Sequence, residues 1–498
     1  MLIVHERAVP ATDGTARRDE SREFRPLGSL GTQLNWLMER ASATFRYSST
    51  RRKSLLSHGD AVCTVAEFWS AVDRFSKWLD SSGYASYDPY DIWGVGYGRL
   101  ARQLYYRKHP VGIIMTAPLL LMEIIFPRLR GLFVKKERFP TADAQLALAF
   151  LNLYQASRSQ GLVSVGHPMQ SCHGRQSEEW LRKAKSLANE LLSQSVPGYR
   201  GFCWGYPFDW QNVNGLMPKG TPHIASTPYC YEVFATLFDL TGEAHFFEVA
   251  RSIAAFVSED LNDTPTGSES AAGSYTPYDH GKVVNASAYR AFVLFDASRR
   301  FQNNTFQTKA LRNLRFILEN QQADGSWLYA IDNPPEAFID HFHTCFVLKN
   351  LFKVNRQLQS PDVQQAIRLG YNWYRKTLFD EEDNPKPFAI APRVQIVRLE
   401  MYNVAEAITL GVLLRKDIPE AFALAQRLAT RLVRVYQLPA GHWVTRVYLG
   451  GLRHTLPFLR WPQAQLFLAL TNLLVALEQE DRVARPDMHR SRVRATTS

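Results

Sequence analysis

The 498-residue sequence lacks the short motifs that identify several large enzyme classes. It contains no G-x-x-x-x-G-K-[ST] phosphate loop, no G-x-G-x-x-G dinucleotide fingerprint, no G-x-S-x-G nucleophile elbow and no H-E-x-x-H zinc motif. Each motif places backbone N–H groups, a nucleophile or metal ligands for one chemistry. Nucleotide-binding, serine-hydrolase and zinc-protease classes are therefore unsupported, and we expect no cofactor.

Cysteine is scarce, and no C-x-x-C pair occurs among the five cysteines Cys63, Cys172, Cys203, Cys230 and Cys345. An odd number of widely spaced cysteines argues against a disulfide framework and against a structural zinc site. The His-x-His pair of His341 and His343 lacks a clear set of further ligands. We therefore expect no bound metal; the alternative is a site that forms if the fold brings His280 and His442 close to this pair.

Long hydrophobic runs are also missing. The first twenty residues have no signal-peptide core, which predicts a cytoplasmic protein. The longest apolar run, 111–126 (VGIIMTAPLLLMEIIF), is shorter than the roughly 20 residues of a membrane span and contains Pro118 and Glu123. Basic residues flank it, so we expect either a core-packed helix or one lying on an anionic membrane surface through 100–136, at the inner face of the membrane. A membrane span is the least favoured alternative.

Acidic residues are outnumbered: 47 Asp and Glu face 58 Lys and Arg, which gives a formal charge of +11. Such an excess fits nucleic acid, an anionic membrane or an acidic polymer. No compact basic run with interleaved aromatic residues occurs in the main part of the chain, so no nucleic-acid partner is expected. The charge leaves the oligomeric state undetermined.

What is present is an internal repeat of apolar helices. Similar helix starts recur with successive intervals of 56, 56, 62 and 58 residues, near Tyr229, Asn285, His341, Asn403 and Trp461. A sixth lies near Ala144, and polar amphipathic helices alternate with the apolar ones. Gly-aromatic connectors recur at 201–204, 273–275, 325–327 and 441–443.

A two-helix unit of about 57 residues cannot bury both of its faces alone, whereas stacked neighbours can. The repeat predicts an all-α (α/α)6 toroid with an apolar inner ring, a polar outer ring and short β connectors at one rim. An open solenoid is the alternative, although solenoid units are usually nearer 33–47 residues. We expect a basic arm at 1–60, a helical extension at 61–139, the toroid at 140–478 and a basic tail at 479–498.

The repeat and its connectors resemble the six-hairpin glycosidase superfamily, which includes toroidal polysaccharide lyases. SYDPYDIWG, CWGYPFDWQ, IDHFHTCFVL, MYNVAEAI and LPFLRWPQAQLF resemble, more narrowly, bacterial proteins associated with exopolysaccharide or capsule biosynthesis. The resemblance spans about 85–478 and implies a carbohydrate substrate handled by rim loops and inner-helix starts. Unlike heparinase-like lyases, the sequence shows no β-sandwich after the toroid.

Two rim positions are the first candidates for the paired carboxyl groups that glycoside hydrolysis requires. Asp209 lies among aromatic residues, which would shield its carboxylate from water and so raise its pKa. The alternative is a turn aspartate whose side chain binds backbone N–H groups. Asp340 begins a helix, where Asp is a favoured N-cap, and with His343 it could form an oriented acid–base pair. We expect His341 to contact substrate beside them.

Glu406 is the third catalytic candidate, since it stands on an otherwise apolar helix shortly after Glu400. A buried carboxylate is costly unless it is paired. Arg393 or Arg398 is the structural partner that the sequence suggests, and catalysis is the alternative.

Aromatic, histidine and arginine side chains complete the predicted site. Rings that could stack on sugars, or else pack between helices, are Trp204, Tyr206, Trp210, Trp327 and Trp461. His280 is a further contact if the ring closes. Arg446 and Arg460 are placed to bind acidic sugars, with internal ion pairing as the alternative.

Our first hypothesis is a glycoside hydrolase-like enzyme that acts on a bacterial oligo- or polysaccharide during polysaccharide biosynthesis. A narrower version of this hypothesis is that the polysaccharide is anionic. A polysaccharide lyase or uronyl C5-epimerase, with Tyr206, Tyr278, His343 or Arg446 in the reaction, is the second. A non-catalytic glycan-binding or membrane-associated scaffold is the third.

Overall fold

The computed structural model describes residues 61–161, 170–333, 336–392 and 395–484, with side chains described except at 159–175 and 482–484. The predicted arm at 1–60 and most of the predicted tail lie outside these residues, as do Arg393 and the side chain of Cys172. The other four cysteines are buried free thiols.

Six helices form a closed inner ring, in which each packs against the next and the last packs against the first. The ring consists of α4 (Pro140–Gly161), α6 (Thr227–Thr241), α8 (Val284–Arg300), α10 (His341–Leu358), α12 (Met401–Leu414) and α14 (Ala464–Ala484). These are the apolar helices of the repeat, and α12 shows why they are apolar: nearly every residue on it is buried. The predicted (α/α)6 toroid is confirmed.

Five outer helices each follow an inner helix and pack against it: α5 (Gln170–Ser193), α7 (Ala244–Glu259), α9 (Asn304–Glu319), α11 (Pro361–Thr377) and α13 (Pro419–Arg431). They are amphipathic. On α9 the buried Ala310, Leu314 and Ile317 follow helical spacing on one face, and the Asn303 side chain caps the first turn by accepting the Phe306 N–H at 3.1 Å.

The sixth outer position is filled from the other end of the chain, by α1 (Val65–Ser82), which packs against α14. Thr64 and Glu67 form a capping box at its start. Phe75 on α1 stacks on Trp443 at 4.6 Å between ring centroids and contacts Phe467 on α14 at 4.8 Å. The sixth hairpin is therefore assembled from two segments that lie about 400 residues apart in the sequence.

The connector between α1 and α4 contains two more helices, α2 (Gly96–Tyr106) and α3 (Pro110–Ile125), which pack against each other. No helix among the described residues has both the length and the apolar character needed to cross a bilayer.

Within the part of the chain that the structure describes, nine short strands lie in the other connectors and pair antiparallel. The pairs are β1 (Trp210–Asn212) with β2 (Gly215–Met217), β3 (Asp263–Pro265) with β4 (Ala271–Gly273), and β5 (Ile339–Asp340) with β6 (Phe388–Ile390). A three-stranded sheet joins β7 (Val397–Glu400), β8 (Arg446–Tyr448) and β9 (Arg453–His454), and its register sets Glu400 opposite Arg446.

Connector length distinguishes the two ends of the toroid. Connectors from an inner helix to the following outer helix, from α6 onward, have two to four residues, whereas those leading to an inner helix from α6 onward have 21 to 33. Every strand lies in a long connector. The elaborated end, here called the connector end, is therefore where the inner helices begin and where their free backbone N–H groups lie.

Replacing Phe75 with Ala should lower the free energy of unfolding by about 3–5 kcal/mol, because a fully buried ring at the closing hairpin leaves a cavity. Chemical denaturation measures this value. Leu311→Ala on the exposed face of α9 is the matched control and should change stability by less than about 0.5 kcal/mol. A small effect of Phe75→Ala would show that α1 does not close the ring.

Candidate active site at the connector end

Asp340 and His343 form a hydrogen-bonded pair at the start of α10. Asp340 Oδ1 accepts the His343 backbone N–H at 3.0 Å, and Oδ2 lies 2.7 Å from His343 Nδ1. Asp340 is 2% exposed, whereas the His343 side chain is 21% exposed. A carboxylate at Nδ1 fixes the orientation and tautomer of an imidazole. Nε2 is then the nitrogen that is left to meet a ligand.

A small pocket lies beside this pair and is bounded by the starts of α8 and α10. Asp340, His343, Tyr329 and Asn285 are among the residues that line it. The Asn285 side-chain oxygen is buried without a hydrogen-bond partner in the structure. Buried polar atoms are usually paired, so this oxygen is a candidate to bind a hydroxyl group.

Aromatic rings link His343 to the neighbouring inner helices. Trp461, just before α14, stacks on Tyr402 of α12 at 3.8 Å and 5° between ring planes. Phe342 lies edge-on to Trp461 at 5.1 Å, and its ring is 4.2 Å from His343. The starts of α10, α12 and α14 thus meet in one cluster, the central cluster of Phe342, His343, Tyr402 and Trp461.

Glu400 is a buried carboxylate at the start of α12, adjoining the central cluster. Its Oε2 accepts a hydrogen bond from Arg446 Nε at 2.9 Å, while Oε1 is buried without a partner in the structure. Burial raises the pKa of Glu400, and Arg446 and Trp461 oppose that rise. A carboxyl group with a raised pKa and one free oxygen has the properties of a general acid.

Glu406, nearly two turns further along α12, is fully buried inside the ring. It pairs with Lys349 Nζ of α10 at 2.5 Å and accepts a hydrogen bond from Gln465 of α14. The partner is thus Lys349; Arg398, one of the two arginines suggested by the sequence, lies near Glu382 instead. This arrangement joins three inner helices and favours a structural role for Glu406.

Asp209, the other predicted carboxylate, stands before β1. Its Oδ1 accepts the Lys219 backbone N–H at 2.8 Å, and Oδ2 lies 3.5 Å from Arg99 of α2. The side chain is 38% exposed. Asp209 thus binds a backbone N–H group, as the alternative of a turn aspartate predicts, and it also has an arginine neighbour. No contact in the described part of the structure joins it to Asp340.

Tyr206 and Trp210, which flank Asp209, line the rim together with Tyr90. The Tyr206 and Trp210 rings are 5.7 Å apart, and Trp210 lies 5.8 Å from Tyr90. Arg460 lies 4.7 Å above the Tyr206 ring and is buried, with Nη2 donating to Asp88 Oδ1 at 2.8 Å. Arg460 and Arg446 are therefore both paired with a carboxylate inside the protein.

Three of the predicted substrate contacts have their polar atoms engaged inside the fold. Trp204 Nε1 donates to the Leu191 carbonyl at 2.7 Å, and Trp327 Nε1 donates to the Ile317 carbonyl at 3.0 Å. His341 Nε2 lies 2.8 Å from the Tyr374 hydroxyl, and burial lowers the pKa of His341 to about 3. These positions favour packing roles. His280, in contrast, is exposed in the loop after β4.

Two further residues near His343 had no recognisable signal in the sequence. Tyr329 lies 4.5 Å from His343 and stacks on Phe338. Glu336 is a buried carboxylate that accepts hydrogen bonds from Asn333 at 2.6 Å and Asn214 at 3.0 Å, and burial raises its pKa. Both lie in an irregular connector, where no periodicity marks a residue as buried.

Comparison with known proteins identifies the fold. No family model and no curated protein matches the sequence. Among solved structures, cellobiose 2-epimerase from Bacillus thermoamylovorans B4167 is similar with a TM-score of 0.52 and 11% identity over 69% of this chain and 88% of that one. A family 76 glycoside hydrolase from a bovine Bacteroides thetaiotaomicron strain gives 0.52 and 10% over 83% and 78%.

An unsaturated glucuronyl hydrolase specific for heparin is similar with a TM-score of 0.50 and 9% identity over 85% of this chain and 98% of that one. At these identities the similarity establishes the fold alone, which is the (α/α)6 toroid of six helical hairpins that the sequence predicted. The residues of the site must carry the argument for function.

His223 provides a pH-dependent test of the packing around Tyr206. Burial, followed by the nearby Arg460 charge, lowers the pKa of His223 to about 3, and its ring lies 4.3 Å from Tyr206 and 5.7 Å from Tyr275. Folding therefore favours the neutral imidazole. Stability is lost as the pH falls below the unfolded pKa of about 6.5, because only the unfolded state then binds the proton.

Between pH 7 and pH 5 the wild type should lose about 2 kcal/mol of unfolding free energy that His223→Phe retains. Urea denaturation of both proteins at each pH measures the difference. Since other titrating groups are common to both proteins, they cancel. An identical pH dependence would show that His223 is accessible to protons in the folded state.

Proposed function

We propose that this protein is a carbohydrate-active enzyme that carries out acid–base chemistry on an oligo- or polysaccharide at the connector end of the toroid. The Asp340–His343 pair is the observation that carries the proposal, because it sets a partly exposed, oriented imidazole at the start of an inner helix. Tyr206, Trp210 and Tyr90 provide apolar faces near the rim on which sugar rings can pack.

Asp340 orients and His343 transfers the proton. Both Asp340 oxygens are engaged by His343, so this carboxylate is poorly available to a substrate. With Nδ1 held by Asp340, a neutral His343 carries its lone pair on Nε2 and can accept a proton from water or from a substrate. General acid–base catalysis of this kind accelerates a reaction by about 10²- to 10⁴-fold.

Glycoside hydrolysis is the reaction that Glu400 favours. A protonated Glu400 would donate its proton to the leaving glycosidic oxygen while His343 takes a proton from the attacking water. The C–O bond breaks, a C–O bond to water forms, and both groups return to their starting states through solvent. His343 belongs to the central cluster and Glu400 adjoins it, and the two residues stand at the starts of neighbouring inner helices.

Elimination or C5-epimerisation is the second candidate, and Tyr329 is the observation that favours it. In that chemistry a base removes a C–H proton next to a carboxylate and an acid supplies one elsewhere. Burial raises the pKa of Tyr329, so its hydroxyl keeps its proton, and its ring centroid lies 4.5 Å from that of His343.

The charge and the origin of the glycan are narrower parts of the proposal. Arg446 already donates a hydrogen bond to Glu400 and Arg460 pairs with Asp88, so neither is free to bind a uronic acid without giving up a buried partner. A role in exopolysaccharide or capsule biosynthesis rests on the resemblance of the rim motifs.

Incubation with extracellular polysaccharide of the source organism, followed by mass analysis, should show fragments that have gained one water per cleavage. His343→Gln and Glu400→Gln should each slow turnover by about 100-fold or more while the protein stays folded. His245→Gln, an exposed histidine on α7, is the matched control and should act as wild type.

Unsaturated fragments without added water, or a changed ratio of C5 epimers at unchanged mass, would replace hydrolysis with the second candidate. Unchanged polysaccharide, together with unchanged neutral and uronic-acid oligosaccharides, would contradict enzymatic action altogether. Wild-type turnover by His343→Gln would remove the Asp340–His343 pair from the mechanism.

Asp340→Asn separates the two contributions of Asp340. Asn is an N-cap as good as Asp, so the free energy of unfolding should stay within about 0.5 kcal/mol of wild type. Turnover should nevertheless fall by about 100-fold or more, because an amide does not hold the imidazole in the required tautomer. The loss should be about as large as that caused by His343→Gln. Asp340→Ala should lose both turnover and stability, with the free energy of unfolding lower by about 1 kcal/mol because the helix cap is removed. Equal turnover of wild type and Asp340→Asn would leave Asp340 as a cap alone.

A further inference from the structure

The hairpin of α2 and α3 exposes a continuous set of large apolar side chains. Seven large apolar side chains on α3 and in the segment that follows it, up to Phe133, are at least half exposed. They are Ile113, Ile114, Leu121, Ile125, Phe126, Leu132 and Phe133. We call these the apolar patch. Isolated exposed apolar residues are ordinary, but a contiguous set of this kind marks an interaction surface.

The burial pattern of α3 is inverted relative to that of an ordinary surface helix. Its buried residues are Gly112, Thr116, Leu119 and Glu123, which include both polar side chains of the helix. Ile114, on the outer side, is 71% exposed. A helix in contact with water turns its polar face outward, so this orientation fits an apolar medium outside the protein.

Specific contacts hold α3 in this orientation. The buried Arg130 guanidinium pairs with both Glu123 and Asp91, and its Nη1 donates to the Asp88 carbonyl at 2.7 Å. A Cβ on Gly112 would come within 2.3 Å of the Tyr105 backbone nitrogen, so α2 and α3 cross closely there. Turning α3 over would break a buried ion network, which is costly.

Basic side chains border the patch along the chain, and the first exposed acidic residue after it is Glu137. Arg107 and Lys108 are exposed before α3, and Arg128, Lys135 and Lys136 are exposed after it. From Ile92 to Lys136 the one acidic residue is Glu123, which is buried. An apolar face with basic residues at its border matches the interface of a bilayer that contains anionic lipid.

We infer that the α2–α3 hairpin docks the protein onto an anionic lipid bilayer, with the apolar patch in the interface and the basic side chains at the headgroups. The hairpin lies on the surface without crossing, since α3 has 16 residues and a span needs about 20. A second copy of the chain fits less well, because pairing two such patches would bring like charges together. This inference is independent of the proposed function.

Flotation with vesicles tests the inference on the full chain. The wild type should float with phosphatidylcholine vesicles that contain phosphatidylglycerol, and floating should weaken as salt is raised. Ile114→Asn with Leu121→Asn should reduce partitioning by at least about 100-fold. Lys135→Gln with Lys136→Gln should reduce it by about 30-fold.

Leu311→Asn with Leu369→Asn is the matched control, since both leucines are exposed on outer helices away from the hairpin. This variant should float as wild type does. The lysine variant changes exposed side chains and keeps the test decisive if the apolar variant does not fold. A wild type that fails to float would overturn the inference, as would equal flotation of all variants. So would a wild-type dimer that the Ile114 and Leu121 changes dissociate without any lipid binding.

Discussion

Closure of the inner ring, through the packing of α14 against α4, is the constraint on which the rest of the structure depends. It leaves six helices that are surrounded by protein along most of their length. A polar group in such a ring must find a partner inside it or lie at an end. The inner helices meet this condition in both ways: Glu406 pairs with Lys349 inside the ring, and Asp340 and Glu400 stand at the connector end.

The same constraint explains why the candidate chemistry gathers where the inner helices begin. Helix starts carry unpaired N–H groups, which stabilise nearby carboxylates. The long connectors converge on this end and cover it with rings and paired charges. Arg460 and Asp88, which are 372 residues apart in sequence, join the last connector to the first one. The ion pair between Arg460 and Asp88 thus stabilises the connector end and also joins the two ends of the toroid sequence.

The first connector links the two proposals spatially. It supplies Tyr90 next to Trp210, and through α2 it places Arg99 3.5 Å from Asp209. The same connector carries the apolar patch. If the hairpin docks on a bilayer, the rim around Asp209 is joined to the docked segment through α2.

The sequence by itself determined the repeat, and through it the fold. The spacing near 57 residues, the alternation of apolar and polar helices and the Gly-aromatic connectors all arise from local burial patterns, and local patterns are readable along a chain. The N-cap position of Asp340 and its proximity to His343 follow in the same way, because three residues at a helix start are fixed relative to each other.

Only the tertiary structure decided which side chains meet across the ring. It placed α1 in the sixth outer position, gave Lys349 to Glu406, turned Trp204 and Trp327 inward and brought Glu400 to the central cluster. Nothing local to these residues encodes a partner on another helix, since such contacts depend on how all six hairpins close together. Periodicity reports that a side chain is buried, and closure of the ring decides what it is buried against.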